Sequence, residues 1–329
     1  MVLILSAESA SRQQKLALKK VVHHPINLEV TTSQNQAVVE FEILKQIHYK
    51  FQPLAGCAVP YPVAVFPQEE AFIMEYIEGN LLSKQLDDAR YWGLPSRFKE
   101  LERSYCLLGR WLKHFQTVTG IEQGGHEIFA NLFSRCETRL RVIADCPALS
   151  CSQEFVDRTL RYLKEQASTV SDSSIPIAGR HGDFGDWNIM VNAGTVTVFD
   201  FLGYAKEPIA YDALKVLTRL QALKLNPLYS PSRIDRLQEQ FLRGYGVVFR
   251  TPVPALIICE IYHKICTIAG CLSIVGQRLD YQIWNRRLLA QGAEFLRSLG
   301  PVVRGEESYV STNMDLLGRD SPVMKHACA

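Results

Sequence analysis

The segment that most constrains the fold of this chain runs from His181 to Phe201. It opens with His-Gly-Asp, carries an asparagine five positions after that aspartate, and closes with a second aspartate after a short apolar stretch. Between these parts, Asn192-Ala193-Gly194 provides turn residues flanked by two β-prone stretches, a pattern typical of a hairpin. The order and spacing therefore predict a site in which Asp183, Asn188 and Asp200 lie side by side.

The oxygen atoms of these three side chains suit phosphoryl transfer. Such a reaction needs an aligned acceptor oxygen and neutralised phosphate charge, but little covalent help from the protein. Magnesium prefers carboxylate and amide oxygens and takes further ligands from water and substrate phosphates. We expect Asp183 to accept or orient the proton of an acceptor hydroxyl, and Asn188 and Asp200 to hold Mg²⁺. Gly182 and Gly185 would let the loop turn sharply.

Composition and charge exclude several other classes of protein. The chain has 329 residues, of which 47% are hydrophobic and 21% charged, as in soluble globular proteins. A length of this order allows two lobes or one large domain. The net charge of +2 gives no general reason to expect a nucleic acid or an anionic membrane as partner.

The cysteines and the most apolar stretch favour a cytoplasmic protein. The nine cysteines are scattered, without zinc-ligand spacing, and are expected to be reduced and mostly buried. The first residues, Met1 to Leu5, are too short an apolar stretch for a signal peptide. The apolar stretch from Leu256 to Gly276 contains Glu260, His263 and Lys264, which favours a buried helix over a membrane span.

Hydrophobic periodicity divides the chain into an early section of strands and a later section of helices. The early section predicts a β-hairpin with a turn at residues 6–14, a helix at 36–47 and strands near 59–66 and 71–76. From about residue 302 the periodicity ends, so the last stretch is expected to be a tail that is ordered only in part. The later helices are predicted at residues 98–118, 128–144, 153–167, 211–223, 232–245, 254–275 and 282–299.

The central segment resembles the catalytic core of the aminoglycoside phosphotransferase and choline kinase family, which has a protein-kinase-like fold. The resemblance rests on His181-Gly182-Asp183…Asn188, on Phe199-Asp200-Phe201 and on Tyr211-Asp212-Ala213-Leu214. It implies that Asp183 is the catalytic base and that Asn188 and Asp200 bind Mg²⁺. It also implies structural roles for His181, in the loop, and for Asp212, in the helical lobe.

The resemblance implies an α+β, two-lobed architecture. Residues 1–80 would form a small nucleotide-binding lobe around an antiparallel sheet. Residues 81–300 would form a larger, mainly helical lobe with the catalytic loop at 181–201, and residues 301–329 a tail. No glycine precedes Gly56, so a glycine-rich phosphate loop is missing and the small lobe is expected to be shortened, beginning at its second strand.

The early section offers candidates for the nucleotide site. A lobe of this kind needs a strand lysine for the phosphates and a helix glutamate that holds the lysine. Lys19 and Glu40 are the first choices. Lys20 is an alternative because a shift of one residue changes the face of a strand, and Glu42 is the second choice in the helix. The stretch from Glu75 to Ile77 resembles the linker between the lobes, where the backbone would meet the adenine edge.

These features predict an ATP- and Mg²⁺-dependent kinase that acts on a hydroxyl group of a small molecule. An amino alcohol, a sugar or an aminoglycoside-like compound are the acceptors considered. The predicted acceptor regions, 98–140 and 256–284, carry no dense acidic cluster of the kind that would attract a polycationic antibiotic. The alternative is a catalytically weak or inactive kinase-like protein that binds a nucleotide or a partner, which the shortened lobe would suit.

Overall fold

A computed structural model describes residues 2–9, 12–21, 35–51, 54–90, 95–149, 151–170, 175–246, 253–272 and 279–309. The small lobe contains a four-stranded sheet in the order β1-β2-β5-β4, with every neighbouring pair antiparallel. Its strands are β1 (Val2–Ser9), β2 (Arg12–Lys20), β4 (Pro62–Phe66) and β5 (Ala71–Glu75).

The first two strands form the predicted hairpin but are longer than the sequence pattern indicated. Pairing extends from Val2 opposite Lys19 to Ser9 opposite Arg12. The polar residues 6–9 and 12–14, expected in a turn, are therefore part of the strands. Backbone pairing explains the error, because strands are joined by main-chain hydrogen bonds that do not require apolar side chains.

Helix α1 (Gln36–Lys50) covers the small sheet, as the hydrophobic stripe predicted. Asn35 caps its start, since the side-chain oxygen accepts hydrogen bonds from the amides of Ala37 at 3.1 Å and Val38 at 3.3 Å. Phe41 on the helix meets Phe72 on β5 edge to face, with ring centroids 6.1 Å apart. These contacts orient α1 so that the face that carries Glu40 packs on the sheet.

A second sheet connects the early section to the segment from His181 to Phe201. Its order is β3-β10-β9-β6, from strands β3 (Cys57–Ala58), β6 (Asn80–Leu81), β9 (Ile189–Asn192) and β10 (Thr195–Val198). β9 and β10 form the predicted hairpin, and β3 pairs with β10 in parallel. This sheet therefore joins strands from both sides of residue 80, where the sequence analysis placed the boundary between the lobes.

The rest of the chain is mainly helical, as predicted, with a third small sheet. That sheet has the order β11-β8-β7, from β7 (Glu122–Gly124), β8 (Ile175–Arg180) and β11 (Ala205–Pro208). The helices are α2 (Leu82–Asp88), α3 (Pro95–Val118), α4 (Ala130–Ala144), α5 (Gln153–Ser168), α6 (Ala210–Leu223), α7 (Pro231–Tyr245), α8 (Val253–Leu272) and α9 (Leu279–Val303).

Helix α8 is the apolar helix that the sequence predicted to be buried. Among the described residues, it alone is long and apolar enough to cross a membrane. However, 72% of its most apolar stretch is buried inside the protein. Glu260 and His263, both buried, lie on this helix.

Helix α9 continues into the segment that was predicted to be a tail. It ends at Val303, and the hydroxyl oxygen of Tyr309 beyond it accepts a hydrogen bond from the ammonium group of Lys264 of α8 at 3.2 Å. The beginning of the predicted tail is therefore attached to the helical lobe. Residues 310–329, the rest of that tail, lie outside the described residues.

An aromatic cluster packs against the segment from His181 to Phe201. Trp111 of α3 is fully buried and stacks on Phe115, with centroids 5.0 Å apart, and on Phe184, at 5.6 Å. Phe201 joins the same cluster, 6.3 Å from Trp111 and 6.0 Å from Phe115. Phe184 and Phe201 directly follow the two aspartates of the segment, so each aspartate is attached to a buried ring.

Two glycines set the distance between α3 and α7. A methyl group on Gly109 would overlap the carbonyl oxygen of Phe241, and one on Gly244 would overlap that of Cys106. We expect Gly109→Ala and Gly244→Ala each to lower the free energy of unfolding by roughly 1–3 kcal/mol, because the helices would have to separate. Chemical denaturation followed by circular dichroism measures the change.

Gly270, in α8, is the matched control for this prediction. Its Cβ position has no neighbour within 4 Å among the described residues, so Gly270→Ala should be neutral or stabilise the helix by about 0.5–1 kcal/mol. Equal effects of all three substitutions would contradict the close approach of α3 and α7.

Candidate active site

Lys19 of β2 joins three separate parts of the chain. Its ammonium nitrogen lies 2.7 and 2.8 Å from the two carboxylate oxygens of Glu40 in α1. It also lies 2.8 Å from Oδ1 of Asp200, directly beyond the β9–β10 hairpin. Only 12% of the Lys19 side chain and 2% of the Glu40 side chain are exposed, so the pair is shielded from water.

The charges of this cluster are unbalanced, since one ammonium group faces two carboxylates. Burial alone would lower the pKa of Lys19, but attraction from Glu40 and Asp200 raises it above its ordinary value. Burial raises the pKa of Glu40, against the lowering effect of Lys19. A cation bound beside Asp200 would relieve the excess of negative charge.

The alternative residues of the early section lie elsewhere. Lys20 is exposed and follows Lys19 on the strand, so its side chain leaves the opposite face of the sheet. Glu42 is also exposed and lies 3.7 Å from Lys45 on the outer surface of α1. The geometry brings the first choices, Lys19 and Glu40, to the catalytic segment.

Asp183 lies at the centre of a dense set of hydrogen bonds. Lys215 of α6 approaches its Oδ1 at 2.7 Å. Its Oδ2 accepts from the indole nitrogen of Trp187 at 2.8 Å and from the amide nitrogen of Asn188 at 2.9 Å. Burial alone would raise the pKa of Asp183, but Lys215 and the bonds from Lys215 and Trp187 lower it to about 2. The carboxylate is therefore ionised at neutral pH, and half of its side chain is exposed.

His181 and Asp212 hold the loop from beneath. Asp212 accepts from the backbone amides of His181 at 2.6 Å and Gly182 at 3.3 Å. Burial lowers the pKa of His181, so its ring is neutral, and Nε2 lies 3.0 Å from the carbonyl oxygen of Phe199. The ring thereby ties the loop to the residue before Asp200.

The two loop glycines are required for different reasons. Gly182 has a φ of +87°, and a methyl group there would overlap the carbonyl oxygen of Gly203. Gly185 has an ordinary extended φ of −124°, so the expectation that it supplies turn freedom was wrong. Its lack of a Cβ instead leaves room for the ring of Trp187.

The hairpin brings Asn188 and Asp200 to the same end of the second sheet. Ile189 and Val198 pair across the hairpin, and the amide of Phe199 donates to the carbonyl of Asn188 at 3.2 Å. Asp200 follows at once, with a positive φ of 70°, a strained backbone for a residue other than glycine. This bend directs its carboxylate to Lys19.

The donors at this end of the hairpin fit magnesium. The hydrogen bonds that fix Asn188 use its amide nitrogen, which leaves the amide oxygen for a metal. Asp200 is 35% exposed and adds a carboxylate. Among the described residues there is no group of three or more His, Cys, Asp or Glu side chains that could hold a metal. Two oxygen donors are what a magnesium ion needs when phosphates and waters complete its shell.

The stretch from Glu75 to Ile77 connects β5 to β6. The amide of Glu75 donates to the carbonyl of Tyr61 at 2.8 Å, and its side chain accepts from the amide of Tyr61 at 3.2 Å. Residues 76–78 have no regular secondary structure, so their backbone groups are outside the sheet ladders. The residues predicted to meet an adenine edge thus lie between the lobes.

A cavity of about 480 Å³ opens beside Asp183. One face of α6 forms much of the cavity wall, because the α6 residues that line the cavity recur at helical spacing. Helices α8, α9 and α4 complete it, together with the loop. The lining residues are Arg139, Gly182, Asp183, Trp187, Tyr211, Lys215, Thr218, Arg219, Ala222, Tyr262, His263, Cys266, Thr267, Gly270, Cys271, Trp284 and Leu288.

Three residues of the site were missed in the sequence. Trp187 and Lys215 contact Asp183, and Arg219 holds Asp186 of the loop at 3.2 Å. Lys215 and Arg219 follow Tyr211 by four and eight positions, so they share one helix face, a signal that was present in the sequence. Trp187 had no comparable signal, because its role depends on how the loop folds over Gly185.

Comparison with known families agrees with this architecture. A family model described as "Phosphotransferase enzyme family" matches residues 37–256, about two thirds of the chain. The chain belongs to this phosphotransferase family. A comparison with curated proteins gave no significant sequence match.

Solved structures of similar fold include members with this phosphotransferase architecture. A choline/ethanolamine kinase family protein from Mesorhizobium loti has a TM-score of 0.52 and 12% identity, covering 92% of this chain and 90% of its own. A glucosamine kinase in complex with glucosamine, ADP and inorganic phosphate has a TM-score of 0.54 and 14% identity, covering 92% of this chain and 80% of its own.

A third solved structure is a thermostable mutant of aminoglycoside phosphotransferase APH(4)-Ia, in a ternary complex with AMP-PNP and hygromycin B. It has a TM-score of 0.52 and 12% identity, and covers 94% of each chain. At these identities the likeness concerns the fold. It confirms the predicted resemblance and the α+β class, with a small antiparallel lobe and a larger helical part.

Lys215→Met tests the origin of the low pKa of Asp183. Because folding lowers that pKa from 3.8 to about 2, ionised Asp183 stabilises the fold above pH 3.8. This contribution is lost as the pH falls toward 2. We expect the pKa of Asp183 to rise in the variant, because burial then acts without the ammonium group. Carbon-13 NMR titration of the aspartate carboxyls measures it.

Lys224→Met serves as the matched control. Lys224 lies just beyond the end of the same helix and pairs with Asp235 instead. Its loss should leave the titration of Asp183 unchanged. An unaltered pKa in Lys215→Met would contradict the electrostatic role given to that lysine.

Proposed function

We propose that this protein transfers the γ-phosphoryl group of ATP, with Mg²⁺, to a hydroxyl group of a small molecule. The observation that carries the proposal is the contact of Lys19 with both Glu40 and Asp200. This contact joins the Lys19 ammonium group to the carboxylate that we assign to the metal, which supports a phosphate and metal site at this point. Membership of the phosphotransferase family supports the reaction class.

In the proposed reaction, the acceptor oxygen forms a bond to the γ-phosphorus while the bond from that phosphorus to the β–γ bridging oxygen breaks. The hydroxyl proton leaves toward Asp183 and then solvent, and ADP carries the electron pair of the broken bond. Asp183 holds the acceptor hydroxyl in line with the phosphorus. Its pKa of about 2 favours orientation over strong basicity.

Mg²⁺, when bound, would neutralise phosphate charge and hold the phosphates for in-line attack. We assign it to the amide oxygen of Asn188 and the carboxylate of Asp200. His181 and Asp212 keep the loop in place without touching the reacting atoms. These supports rest on the hydrogen bonds from His181 and Gly182 to Asp212.

For the nucleotide, we assign Lys19 to the phosphates and Glu40 to the positioning of Lys19. The backbone between Glu75 and Ile77 would receive the adenine edge. ADP and AMP-PNP are bound by two solved structures of similar fold, which supports a nucleotide as donor. The same structures hold glucosamine and hygromycin B, which supports a small hydroxyl compound as acceptor.

We further propose that residues 1–80 act as the nucleotide-binding lobe, residues 81–300 as the acceptor lobe and residues 301–329 as a tail. A cytoplasmic location is also proposed. It is supported by the described cysteines, all of which are free thiols.

Asp183→Asn tests the assignment of the catalytic residue. We expect phosphoryl transfer from Mg·ATP to fall by roughly 10²–10⁴-fold, because a neutral amide orients the acceptor hydroxyl less firmly than the carboxylate and cannot take its proton. Nucleotide affinity should be retained. The assay follows ADP release over a panel of hydroxyl compounds, and Asp157→Asn, at an exposed position of α5, is the control.

Transfer at the wild-type rate by Asp183→Asn would contradict the assignment. A wild-type protein that binds nucleotide with Mg²⁺ but phosphorylates no compound would favour the inactive kinase-like alternative. Failure both to transfer and to bind nucleotide would exclude the proposed function altogether.

Lys19→Met and Lys20→Met form a matched pair on neighbouring positions. We expect Lys19→Met to lower kcat/KM for ATP at least tenfold, since a hydrogen bond to a charged group contributes about 1.5–3 kcal/mol. Lys20→Met should leave it within twofold. Circular dichroism of both variants establishes that they fold, and the opposite pattern of losses would reverse the assignment.

A further inference from the structure

A second cavity, of about 490 Å³, adjoins the cavity beside Asp183. Four residues line both cavities, namely Thr218 and Ala222 of α6, Thr267 of α8 and Leu288 of α9. The two spaces are therefore separated by no more than one layer of side chains. Each volume is typical of a small-molecule site, so a ligand that reaches Asp183 has room to extend beyond the first cavity.

Helix α9 lines the two cavities one after the other. Trp284 and Leu288 line the first cavity, and the residues that line the second continue the same helix face at intervals of three or four positions. Because a helix rises 1.5 Å per residue, this face is about 27 Å long. It therefore forms one continuous wall that leads away from Asp183. The residues along it are Trp284, Leu288, Gln291, Phe295, Ser298 and Val302.

The deeper part of the second cavity is apolar. Ile268 of α8 and Leu288 and Val302 of α9 are buried, and Phe295 adds a ring that is partly buried. Exposed polar side chains, such as that of Gln291, complete the lining. Since burial of apolar surface is favourable, such a space suits an apolar group whose outer side stays in contact with water.

The charged residues of the second cavity do not suit an anion. Lys264 is the one cation among the lining residues that the structure describes, and its ammonium nitrogen lies 2.9 Å from the buried carboxylate of Glu260. The same nitrogen donates to the hydroxyl oxygen of Tyr309 at 3.2 Å. Glu294 and Glu307 add two exposed carboxylates to the lining. A carboxylate or phosphate group at this end of a ligand would be repelled.

We infer that the acceptor is an amphiphilic hydroxyl compound, with its hydroxyl-bearing polar part at Asp183 and an uncharged apolar part against Ile268 and Phe295. This inference rests on the proposed phosphoryl transfer and names the substrate class of the same site. The observation that carries it is the single face of α9 that lines the first cavity and then the apolar second one. A small and wholly polar acceptor would occupy the first cavity alone.

Two series of uncharged compounds test the inference by calorimetric titration without nucleotide. They are alkyl glucosides and alkylglycerol ethers with methyl, butyl, hexyl or octyl chains, used below the concentrations at which they form micelles. We expect the affinity in at least one series to rise roughly twofold per methylene group, because full burial of a methylene contributes about fourfold. The heat capacity change of binding should become more negative as the chain lengthens.

Phe295→Ala should weaken binding of the octyl compound roughly 5- to 20-fold and leave the methyl compound within about twofold, because apolar surface is removed only from the second cavity. Phe295→Leu should retain most of the affinity. Phe133→Ala on α4 is the matched control, since Phe133 is also partly buried but is not among the lining residues of either cavity. Circular dichroism establishes that the variants fold.

A substitution that fills the second cavity provides an independent check. Ser298 is exposed and lines that cavity, so Ser298→Trp should bring the affinity of the octyl compound toward that of the methyl compound. The neighbouring Arg297 is also exposed but is not among the lining residues. Arg297→Trp should therefore leave the dependence on chain length unchanged.

These measurements separate the inference from the proposed function. Binding that strengthens with chain length and is weakened by Phe295→Ala, without phosphoryl transfer, would support the inferred ligand class and contradict the kinase reaction. Transfer to methyl compounds with a kcat/KM equal to that of octyl compounds would support the kinase reaction and overturn the inference. Absence of binding in both series, equal affinity of methyl and octyl compounds, or octyl binding unaffected by both Phe295→Ala and Ser298→Trp would also overturn it.

Discussion

The ammonium group of Lys19 holds three distant stretches of this chain at one point. Glu40 comes from the helix over the small sheet, Asp200 from the end of the central hairpin, and Lys19 from the second strand. Buried ions of this kind are tolerated only when they are paired, and loss of one partner leaves an uncompensated charge. The position of α1 on the sheet and of the hairpin beneath it therefore depends on this contact.

A second constraint on the segment from His181 to Phe201 comes from the buried aromatic rings that pack against it. Asp183 and Asp200 are each followed by a phenylalanine in the cluster around Trp111, so packing fixes the backbone while both carboxylates stay partly exposed. The ring of His181 lies 4.8 Å from that of Phe201, tilted by 51°, and its Nε2 lies within hydrogen-bonding distance of the carbonyl oxygen of Phe199. The packing of these neighbours holds Asp200 at its strained φ.

Much of this could be predicted from the sequence because it is local. The hairpin at 189–198, the face of α1 and the grouping of Asp183, Asn188 and Asp200 follow from turn residues and periodicity. Lys215 and Trp187 could not be assigned, since their contacts with Asp183 depend on how α6 and the loop pack together. The pairing of β3 with β10 was also missed, because a two-residue strand has no periodic signal.

The two sides of the site differ in what they offer a ligand. The side to which we assign the nucleotide has an excess of carboxylates around Lys19, which suits a divalent cation. The cavity beside Asp183 presents arginine and lysine. Calorimetric titration of an ATP analogue, with and without Mg²⁺, tests the central claim most directly in wild type and Asp200→Asn. Our account predicts at least tenfold tighter binding with Mg²⁺ in the wild type and no such difference in the variant. Equal affinity with and without Mg²⁺ in the wild type would contradict it.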